Sequence, residues 1–464
     1  MKRPRRAEAS DMARLPRLET REVRLDATHA FLGTAAALAQ EYADDEPPPR
    51  RIRTFSEAAP DDLGLALGLL SRLSDLGLVV HGPAGCAARR HPALAPLAVT
   101  DLDERDTVLG SGEVLADTLR RLDATARPAA LAVLGSPVVA INSDDIRATV
   151  AELAIELGKP VVWVRTDGFR SAVPVTGADA ATDALLQLAD PGEAPRDFGL
   201  LNLLTTLRSG DLDALVARIE ALGWRVNRLP EGASVADLQR AATAAASLVL
   251  EPDTLDPLAE GLERRFGVLR LGSAVPVGAA ATTALLRRLA ALAGLQTPVP
   301  PLAEDERGLA GHRLAIALPP AWALAVADLV EDLGGEVALL SVPHVDRTHA
   351  AALYAFAERR PALQIHVGEA QGFETAGLLR RIAPDAVLGS PDVVAQALRQ
   401  GVPAAVASPA RLLGAGAAKH LSDLLADALE GSALARHAAR AAGSPYSKAW
   451  LNRSPDWHIK QEVR

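Results

Sequence analysis

Short apolar segments alternate with helical stretches along most of this chain, and this alternation limits the folds open to it. The first clear strand is the apolar run 76–80, which is rich in leucine and valine and is followed by glycines. Such a run is typical of a strand buried in a parallel sheet. Strand and helix then alternate in units of about thirty residues, the spacing of βαβ motifs. The pattern predicts an α/β fold of doubly wound parallel sheets.

Three blocks of this pattern can be separated, since 464 residues are too many for one core. We predict Rossmann-like α/β domains over 55–195, 196–300 and 301–435, arranged around a central cleft. The predicted strands are 78–80, 130–134 and 161–164 in the first domain, 199–204, 225–226, 245–250 and 268–269 in the second, and 313–318, 336–340, 364–367, 386–388 and 404–407 in the third. We expect ligands to lie between domains.

The two ends of the chain have a different composition from the blocks between them. Residues 1–54 predict an N-terminal arm and linker that ends in a proline-rich polar run, and we expect this arm to reach a partner rather than join a core. Residues 436–464 predict a C-terminal docking tail, because aromatic side chains in a polar segment favour an interface. Docking on another subunit and packing on the chain's own third domain are both open.

Charge and cysteine content exclude several classes of protein. A formal net charge of −9 argues against a nucleic-acid surface, which needs clustered cations. The short basic cluster at residues 2–6 is not followed by a long apolar segment, so we expect neither a signal peptide nor a membrane anchor. A single cysteine forbids an intrachain disulfide, and a cytoplasmic location is the simplest expectation.

The turn His81-Gly82-Pro83-Ala84-Gly85-Cys86 follows the first predicted strand directly and contains the only cysteine. It therefore lies at the carboxyl end of a strand, where open α/β sheets bind their ligands. We expect His81 to order the turn through its ring hydrogen bonds rather than to act as a base. From its position alone, Cys86 is either a ligand or a small buried apolar residue.

Further motifs follow this turn in a fixed order. They are Thr100 to Gly112, Gly135-Ser136-Pro137, Asn142 to Ile146 with Ser143 or Asp144 as a helix cap, Asp167-Gly168-Phe169, Arg265-Phe266-Gly267, Pro276-Val277-Gly278, Thr282-Thr283, Ala383 to Gly389 and Gly401-Val402-Pro403. Over roughly residues 55 to 430, this order resembles the nitrogenase component 1-type oxidoreductase family. That family includes nitrogenase molybdenum–iron protein subunits, cofactor-assembly scaffold subunits, and the dark-operative protochlorophyllide and chlorophyllide reductases.

The resemblance implies an iron–sulfur cluster at the interface of two homologous subunits, each of which supplies up to three cysteines. Cys86 keeps one of these positions and is the expected metal ligand, with Gly85 beside it in the turn. The second position is occupied by Ser136 or Pro137, and the third falls among residues 59–61, where Asp61 offers a carboxylate. The alternatives are that Asp61 simply starts a helix and that Ser136 is an ordinary turn residue.

The resemblance also implies a function and partners. This cysteine-poor chain is similar to β-type subunits, which share the cluster with an α-type subunit in a heterodimer or α2β2 complex and receive electrons from a homodimeric ATP-binding iron protein. No cysteine follows Cys86, so the chain is not expected to hold a catalytic cofactor or to be catalytic alone. A non-redox scaffold that lost its cluster ligands is the main alternative, and a small-molecule binding protein is another.

Two other groups of residues could bind ligands but have weak patterns. His344, Asp346 and His349 lie close together without the i, i+4 spacing of a helical metal pair. The segment Gly414-Ala415-Gly416 falls short of a phosphate-binding fingerprint, and no Walker sequence is present. We expect no metal site at the first group, and we assign nucleotide hydrolysis to a separate protein.

Overall fold

Parallel β-sheets flanked by helices form the framework of this protein. A computed structural model describes residues 27–43, 46–54, 61–87, 95–142, 145–166, 168, 176–272, 275–295, 299–303 and 308–461. Within these ranges lie three larger sheets and two short strand pairs.

The helices and strands follow one another along the chain as the sequence pattern predicts. Up to the first sheet they are β1 (Ala27–Thr28), β2 (Phe31–Thr34), α1 (Ala35–Gln40), β3 (Arg51–Arg53), α2 (Asp62–Leu70), β4 (Leu76–His81), β5 (Leu97–Val99), α3 (Glu104–Leu109), α4 (Gly112–Ala126), β6 (Ala130–Gly135), α5 (Pro137–Ile141), α6 (Ile146–Leu157), β7 (Val161–Val164) and α7 (Thr176–Leu188). Next come β8 (Asp197–Thr205), α8 (Gly210–Glu220), β9 (Arg225–Pro230), α9 (Val235–Ala241), β10 (Ala244–Val249), α10 (Pro252–Phe266), β11 (Leu269–Arg270) and α11 (Gly278–Leu292). The remaining elements are β12 (Arg313–Ala317), α12 (Pro320–Asp332), β13 (Glu336–Val342), β14 (Val345–Asp346), α13 (Ala350–Arg359), β15 (Gln364–Val367), α14 (Gly372–Ile382), β16 (Ala386–Gly389), α15 (Pro391–Arg399), β17 (Ala404–Val406), α16 (Ala417–Glu430), α17 (Ser432–Ala442), α18 (Lys448–Leu451) and β18 (Ile459–Gln461).

The three sheets have related strand orders. Sheet I is β5-β4-β6-β7, sheet II is β11-β10-β8-β9, and sheet III is β17-β16-β12-β13-β15-β2. Apart from β2, which is antiparallel to β15, the neighbouring strands are parallel. Each strand predicted from the sequence overlaps an observed one. The α/β fold of parallel sheets is confirmed, while the domain boundaries at 195, 300 and 435 remain predictions.

Each sheet reverses its winding direction at its first parallel strand. In sheet I the chain moves from β4 outward to β5 and then returns to the other side of β4 to form β6. The equivalent reversals lie between β8 and β10 in sheet II and between β12 and β16 in sheet III. Loops at such a switch point diverge and leave a crevice at the carboxyl ends of the strands. These three crevices are the positions where the fold places ligands.

Sheet II shares its two faces with its neighbours. Leu201 and Leu203 belong to a core that also contains Leu314 and Ile316 of β12. On the opposite face, Leu200 and Leu204 belong to a core that contains Leu78 and Val80 of β4. Because successive strand residues point to opposite faces, β8 contributes to both cores. The three sheets are therefore joined by continuous apolar packing.

The described part of the N-terminal arm is integrated into sheet III, which corrects the expectation of an appendage. Strand β2 extends the sheet beside β15, and the side chain of Leu38 on α1 is fully buried. The Tyr42 hydroxyl donates to the Val345 carbonyl oxygen at 2.8 Å. The arm therefore supplies an edge strand and core side chains to its own chain. Residues 1–26 lie outside the described residues.

The C-terminal tail packs on its own chain, which is one of the two alternatives left open by the sequence. Strand β18 pairs with β3, so a segment from each end of the chain meets in one antiparallel ladder. The Phe373 ring on α14 contacts Tyr446 and Trp450, with centroids 5.5 and 5.8 Å apart. The tail therefore covers part of α14, although Trp450 keeps 45% of its surface exposed.

A buried ionic network fixes both terminal segments to sheet III. The Glu374 carboxylate on α14 accepts hydrogen bonds from Arg53 Nε at 2.7 Å and from His366 Nε2 at 2.6 Å. Its Oε1 also lies 2.7 Å from His458 Nε2 in the tail. Glu374, His366 and His458 are at most 1% exposed. Three segments distant in sequence, which carry Arg53, His366 with Glu374, and His458, thus meet at one carboxylate.

No helix in the described part of the chain combines the length and apolar character needed to span a membrane.

Candidate functional site

The turn after β4 lies at the switch point of sheet I, next to the end of β6. All six residues of β4 are buried, and the strand ends at His81. A short 3₁₀ helix, Ala84–Ala87, follows, and the Cys86 amide donates to the Pro83 carbonyl oxygen at 3.0 Å. The Cys86 side chain is partly buried and packs against the core that lies between sheets I and II. The sequence-predicted ligand therefore sits at the edge of a ligand crevice.

The buried ring of His81 holds this turn in place. Its Nδ1 lies 3.2 Å from Thr100 Oγ1, and its Nε2 lies 2.9 Å from Ser111 Oγ. Thr100 Oγ1 also accepts a hydrogen bond from the Gly82 amide at 2.9 Å. Since both ring nitrogens are engaged inside the protein, these contacts confirm that His81 orders the turn.

Ser136 lies directly against the turn. Its amide donates to the His81 carbonyl oxygen at 3.0 Å, and a Cβ added to Gly82 would come within 2.6 Å of Ser136 Cβ. Only glycine at position 82 allows this approach. Ser136 is fully buried, and its Oγ has no hydrogen-bond partner among the described residues. A buried hydroxyl without a partner is costly, so this oxygen is available to a ligand.

Asp61 occupies a different local role. It is the N-cap of α2, and its Oδ1 accepts a hydrogen bond from the Gly64 amide at 2.7 Å. The next residue, Asp62, is buried and accepts a hydrogen bond from Thr176 Oγ1 at 3.0 Å. Asp61 therefore starts a helix, as the alternative interpretation proposed, whereas Ser136 touches the turn. Ala59 and Pro60, the other residues at this position of the pattern, lie outside the described residues.

Gly85 projects into open space. Among the described residues, no atom lies within 4 Å of a Cβ added to it, and it is exposed. Packing among the described residues therefore gives no reason for glycine at position 85. Nearby helices also expose large apolar side chains: Val108 is 81% exposed, Leu109 71% and Ile141 69%. These residues lie close in sequence to Ser111 and Ser136, which contact the turn.

Sequence reasoning missed the residues that shape the turn from outside. Asp101 adopts a φ of 53°, and its Oδ1 accepts a hydrogen bond from the Ala84 amide at 3.0 Å. Thr100 and Ser111 hold the two nitrogens of His81. All three lie in the motif stretch from Thr100 to Gly112, which was the available signal. The motif residues Ser143, Asp144, Asp167 and Phe169 lie outside the described residues. The N-cap of α6 is Asp145, whose Oδ1 accepts a hydrogen bond from the Ala148 amide at 3.0 Å, so the prediction of Ser143 or Asp144 as the cap was wrong.

A Gly-Ser-Pro sequence ends a strand in two of the sheets. Gly135-Ser136-Pro137 follows β6, and Gly389-Ser390-Pro391 follows β16 in the equivalent place of sheet III. Neither serine side chain caps the helix that it precedes. Ser390 is exposed, whereas Ser136 is fully buried against Gly82. Ser390 therefore provides a natural control for experiments on Ser136.

The other candidate group forms ion pairs. His349 Nε2 lies 2.7 Å from Asp253 Oδ1, and its Nδ1 lies 3.1 Å from Asp346 Oδ1. Burial alone would lower the pKa of His349, but the carboxylates of Asp346 and Asp253 raise it to about 10. No three His, Cys, Asp or Glu side chains among the described residues are grouped so that they could hold a metal ion.

The loop Gly414-Ala415-Gly416 serves to link two segments. Gly414 has a φ of 75°, and its amide donates to the Pro276 carbonyl oxygen at 3.0 Å. The glycines therefore form a turn contact, in line with the weak sequence pattern.

Comparison with known proteins adds family and fold. The family model described as nitrogenase component 1 type oxidoreductase matches residues 64–411. The B subunit of the light-independent protochlorophyllide reductase from Rhodospirillum rubrum is 28% identical over 399 residues, which cover 77% of this chain and 71% of the relative. The nitrogenase iron-molybdenum cofactor biosynthesis protein NifE of Methanococcus maripaludis is 26% identical over 219 residues, covering 44% of this chain and 45% of the relative. A solved structure titled "Nitrogenase Cp1 at pH 6.5" superposes with a TM-score of 0.69 at 16% identity, covering 84% of this chain and 96% of the other.

Proposed function

The chain belongs to the nitrogenase component 1-type oxidoreductase family, as its motif order predicted, and from this premise we propose that it is the β-type member of a nitrogenase-like reductase complex. In this role it shares an interface iron–sulfur cluster with a homologous α-type subunit in a heterodimer or α2β2 complex. It relays electrons from a homodimeric ATP-binding iron protein to a substrate. The similarity to the B subunit of a reductase over 77% of the chain favours the β-type assignment.

The observation that carries the proposal is the position of Cys86. Its thiol is partly exposed at the switch point of sheet I, the crevice where open α/β sheets bind ligands. Thiolates are the usual ligands of iron–sulfur clusters. One cysteine cannot hold a cluster, and the described residues form no group of three metal ligands. A cluster shared with another subunit therefore fits this chain better than a cluster held by this chain alone. When bound, such a cluster supplies one-electron transfer.

Ser136 is the better placed of the two additional ligand candidates. Its buried hydroxyl has no hydrogen-bond partner in the described structure and lies against the turn that carries Cys86. The Asp61 carboxylate, in contrast, already caps α2. Ligation by Cys86 and Ser136 from this chain and by cysteines from the partner would make the site asymmetric.

The surface around the turn supports a partner at this position. Gly85 leaves room for close approach of another backbone, and Val108, Leu109 and Ile141 expose apolar side chains nearby. Large exposed apolar side chains grouped near a site mark protein interfaces. The homologous α-type subunit is the proposed occupant.

A scaffold that lost its redox chemistry is the second candidate function. Two of the three expected cysteine positions hold other residues, and the cofactor biosynthesis protein NifE is among the relatives. In this alternative the fold and the interface remain, but no cluster is bound.

Anaerobic co-expression with a cysteine-complete homologous subunit tests the proposal. The purified complex is expected to contain iron and acid-labile sulfide, both of which Cys86→Ala removes. Ser136→Ala is expected to reduce iron content and change the cluster's spectrum, while the matched variant Ser390→Ala leaves both unchanged. A complex that forms without iron, and that Cys86→Ala does not alter, would establish the scaffold instead.

A further inference from the structure

The switch points of sheets II and III are linked by one side chain. Helix α10 begins after β10 at the switch point of sheet II, and α12 begins after β12 at that of sheet III. Asp253, in the first turn of α10, accepts a hydrogen bond on Oδ1 from the Ala321 amide in the first turn of α12, at 3.3 Å. The N-cap of α12 is Pro319, which provides no capping side chain. The carboxylate of one unit therefore meets a first-turn amide of a helix in the next.

A buried histidine ring faces the same carboxylate. His349 Nε2 lies 2.7 Å from Asp253 Oδ1. Its other nitrogen faces Asp346, and the His344 ring packs edge-on at 5.8 Å between centroids. Asp253 and His349 are each 5% exposed and Asp346 is 2% exposed. The carboxylates of Asp346 and Asp253 raise the pKa of His349, while its Nδ1 also accepts a hydrogen bond from the Asp346 amide at 3.1 Å.

The N-terminus of a helix at a sheet switch point is the usual anion site of an α/β fold, and here the His349 ring adds a second hydrogen-bond donor. We propose that Asp253 fills this anion position of sheet III with a side chain from the sheet II unit, forming an interdomain bridge that holds the two units closed. The interdomain bridge comprises Asp253, His349 and the first turn of α12. It is independent of the cluster proposed at Cys86.

The fit of the bridge is incomplete. Asp253 Oδ2 is buried and has no hydrogen-bond partner among the described residues. A buried acceptor without a donor reduces the stability that the bridge provides. Another anion can therefore take the place of this carboxylate. If Asp253 is removed, the α12 amides and His349 remain as a vacant site for a small oxyanion.

Anion rescue of a truncation variant tests this bridge. In the full-length protein, Asp253→Ala is expected to lower the thermal midpoint and to increase proteolysis between the two units. Inorganic phosphate at tens of millimolar is then expected to raise the midpoint of Asp253→Ala by about 2 °C or more beyond its effect on wild type. Sulfate is expected to do the same, because the site recognises charge and oxygen geometry.

The controls separate this effect from general stabilisation by salt. Asp75→Ala is the matched variant, since Asp75 Oδ1 also accepts a hydrogen bond from a first-turn amide, that of Val235, at 2.8 Å. Within the described structure, Asp75 Oδ1 contacts this amide. Asp253 Oδ1, in contrast, contacts both an amide and the His349 ring. The midpoint of Asp75→Ala is expected to respond to phosphate as wild type does. Asp253→Asn fills the position with an amide and is expected to lose stability without gaining a phosphate response.

Two results would overturn the proposal. One is an equal phosphate response in Asp253→Ala, Asp75→Ala and wild type. The other is an Asp253→Ala protein whose midpoint and proteolysis match those of wild type. Should Asp253→Ala not fold, Asp253→Asn with an unchanged midpoint and proteolysis pattern would exclude the bridge.

Discussion

A single close approach sets the geometry of the Cys86 turn. Gly82 and Ser136 come from neighbouring strand ends, and their contact leaves no room for a side chain at position 82. The contact is steric and can be relieved by a smaller residue at position 136, while the φ of 158° at Gly82 is a separate restriction. This makes the pair suitable for a double-mutant cycle.

Gly82→Ala is expected to destabilise the protein by about 2 kcal/mol, because the new methyl group overlaps Ser136. Ser136→Gly should remove most of this penalty when the two substitutions are combined. Urea unfolding of the four proteins in the cycle measures the coupling. Additive effects would show that Ser136 does not cause the restriction.

Glu374 makes the stability of the protein depend on pH in the acid range. Burial alone would raise its pKa, but hydrogen bonds from His366 and Arg53 lower it to about 2. Because the pKa is lower in the folded protein than the ordinary 4.5, the stabilisation is complete above pH 4.5 and is lost as the pH falls towards 2. The shift corresponds to about 3 kcal/mol.

Glu374→Gln should therefore lower the free energy of unfolding at pH 7 by about 3 kcal/mol or more, since two histidines and an arginine lose their buried partner. The loss should shrink between pH 4.5 and 2. Denaturant titrations across this range compare the variant with wild type. A difference that stays constant with pH would contradict the ionic explanation.

At the level of secondary-structure elements, substitutions of Asp61 at the start of α2 distinguish helix capping from binding of the cluster. Asp61→Ala is expected to cost about 1 kcal/mol, because the Gly64 amide loses its acceptor. Asp61→Asn should keep nearly full stability, since asparagine caps as well as aspartate does. Chemical denaturation gives both values. If Asp61→Asn retains stability but loses iron from the co-expressed complex, Asp61 is a ligand as well as a cap.

Most parallel strands were predictable from the sequence, including the short edge strands β11 and β17, whereas β5 and the strands that pair antiparallel were not. Strand β4 is an uninterrupted buried run, while β5 has three half-buried residues and β2 lies far in sequence from its partner β15. The Cys86 turn was predictable because it follows a clear strand. The Asp253–His349 contact was not, since 96 residues separate the pair and periodicity carries no information on such distances.

At the level of the whole molecule, the shared cores predict cooperative unfolding. Leu203 lies in the core between sheets II and III, and Leu204 lies in the core between sheets I and II. Leu203→Ala and Leu204→Ala should each cost about 2–5 kcal/mol and lower the same single transition. Differential scanning calorimetry measures the number of unfolding transitions and their midpoints. Two separated transitions, each moved by one variant, would show that the sheets unfold independently, as domains of large proteins often do.

The network around Glu374 joins residues that the ribosome makes at different times. Arg53 precedes Glu374 by 321 residues, so at ribosomal speeds it is made roughly 15 to 65 s before its partner exists. During that interval β2 and β3 have no sheet to join, and their backbone groups remain open to other chains. The early segments of the nascent chain therefore need protection by a chaperone or by the ribosome surface until sheet III emerges.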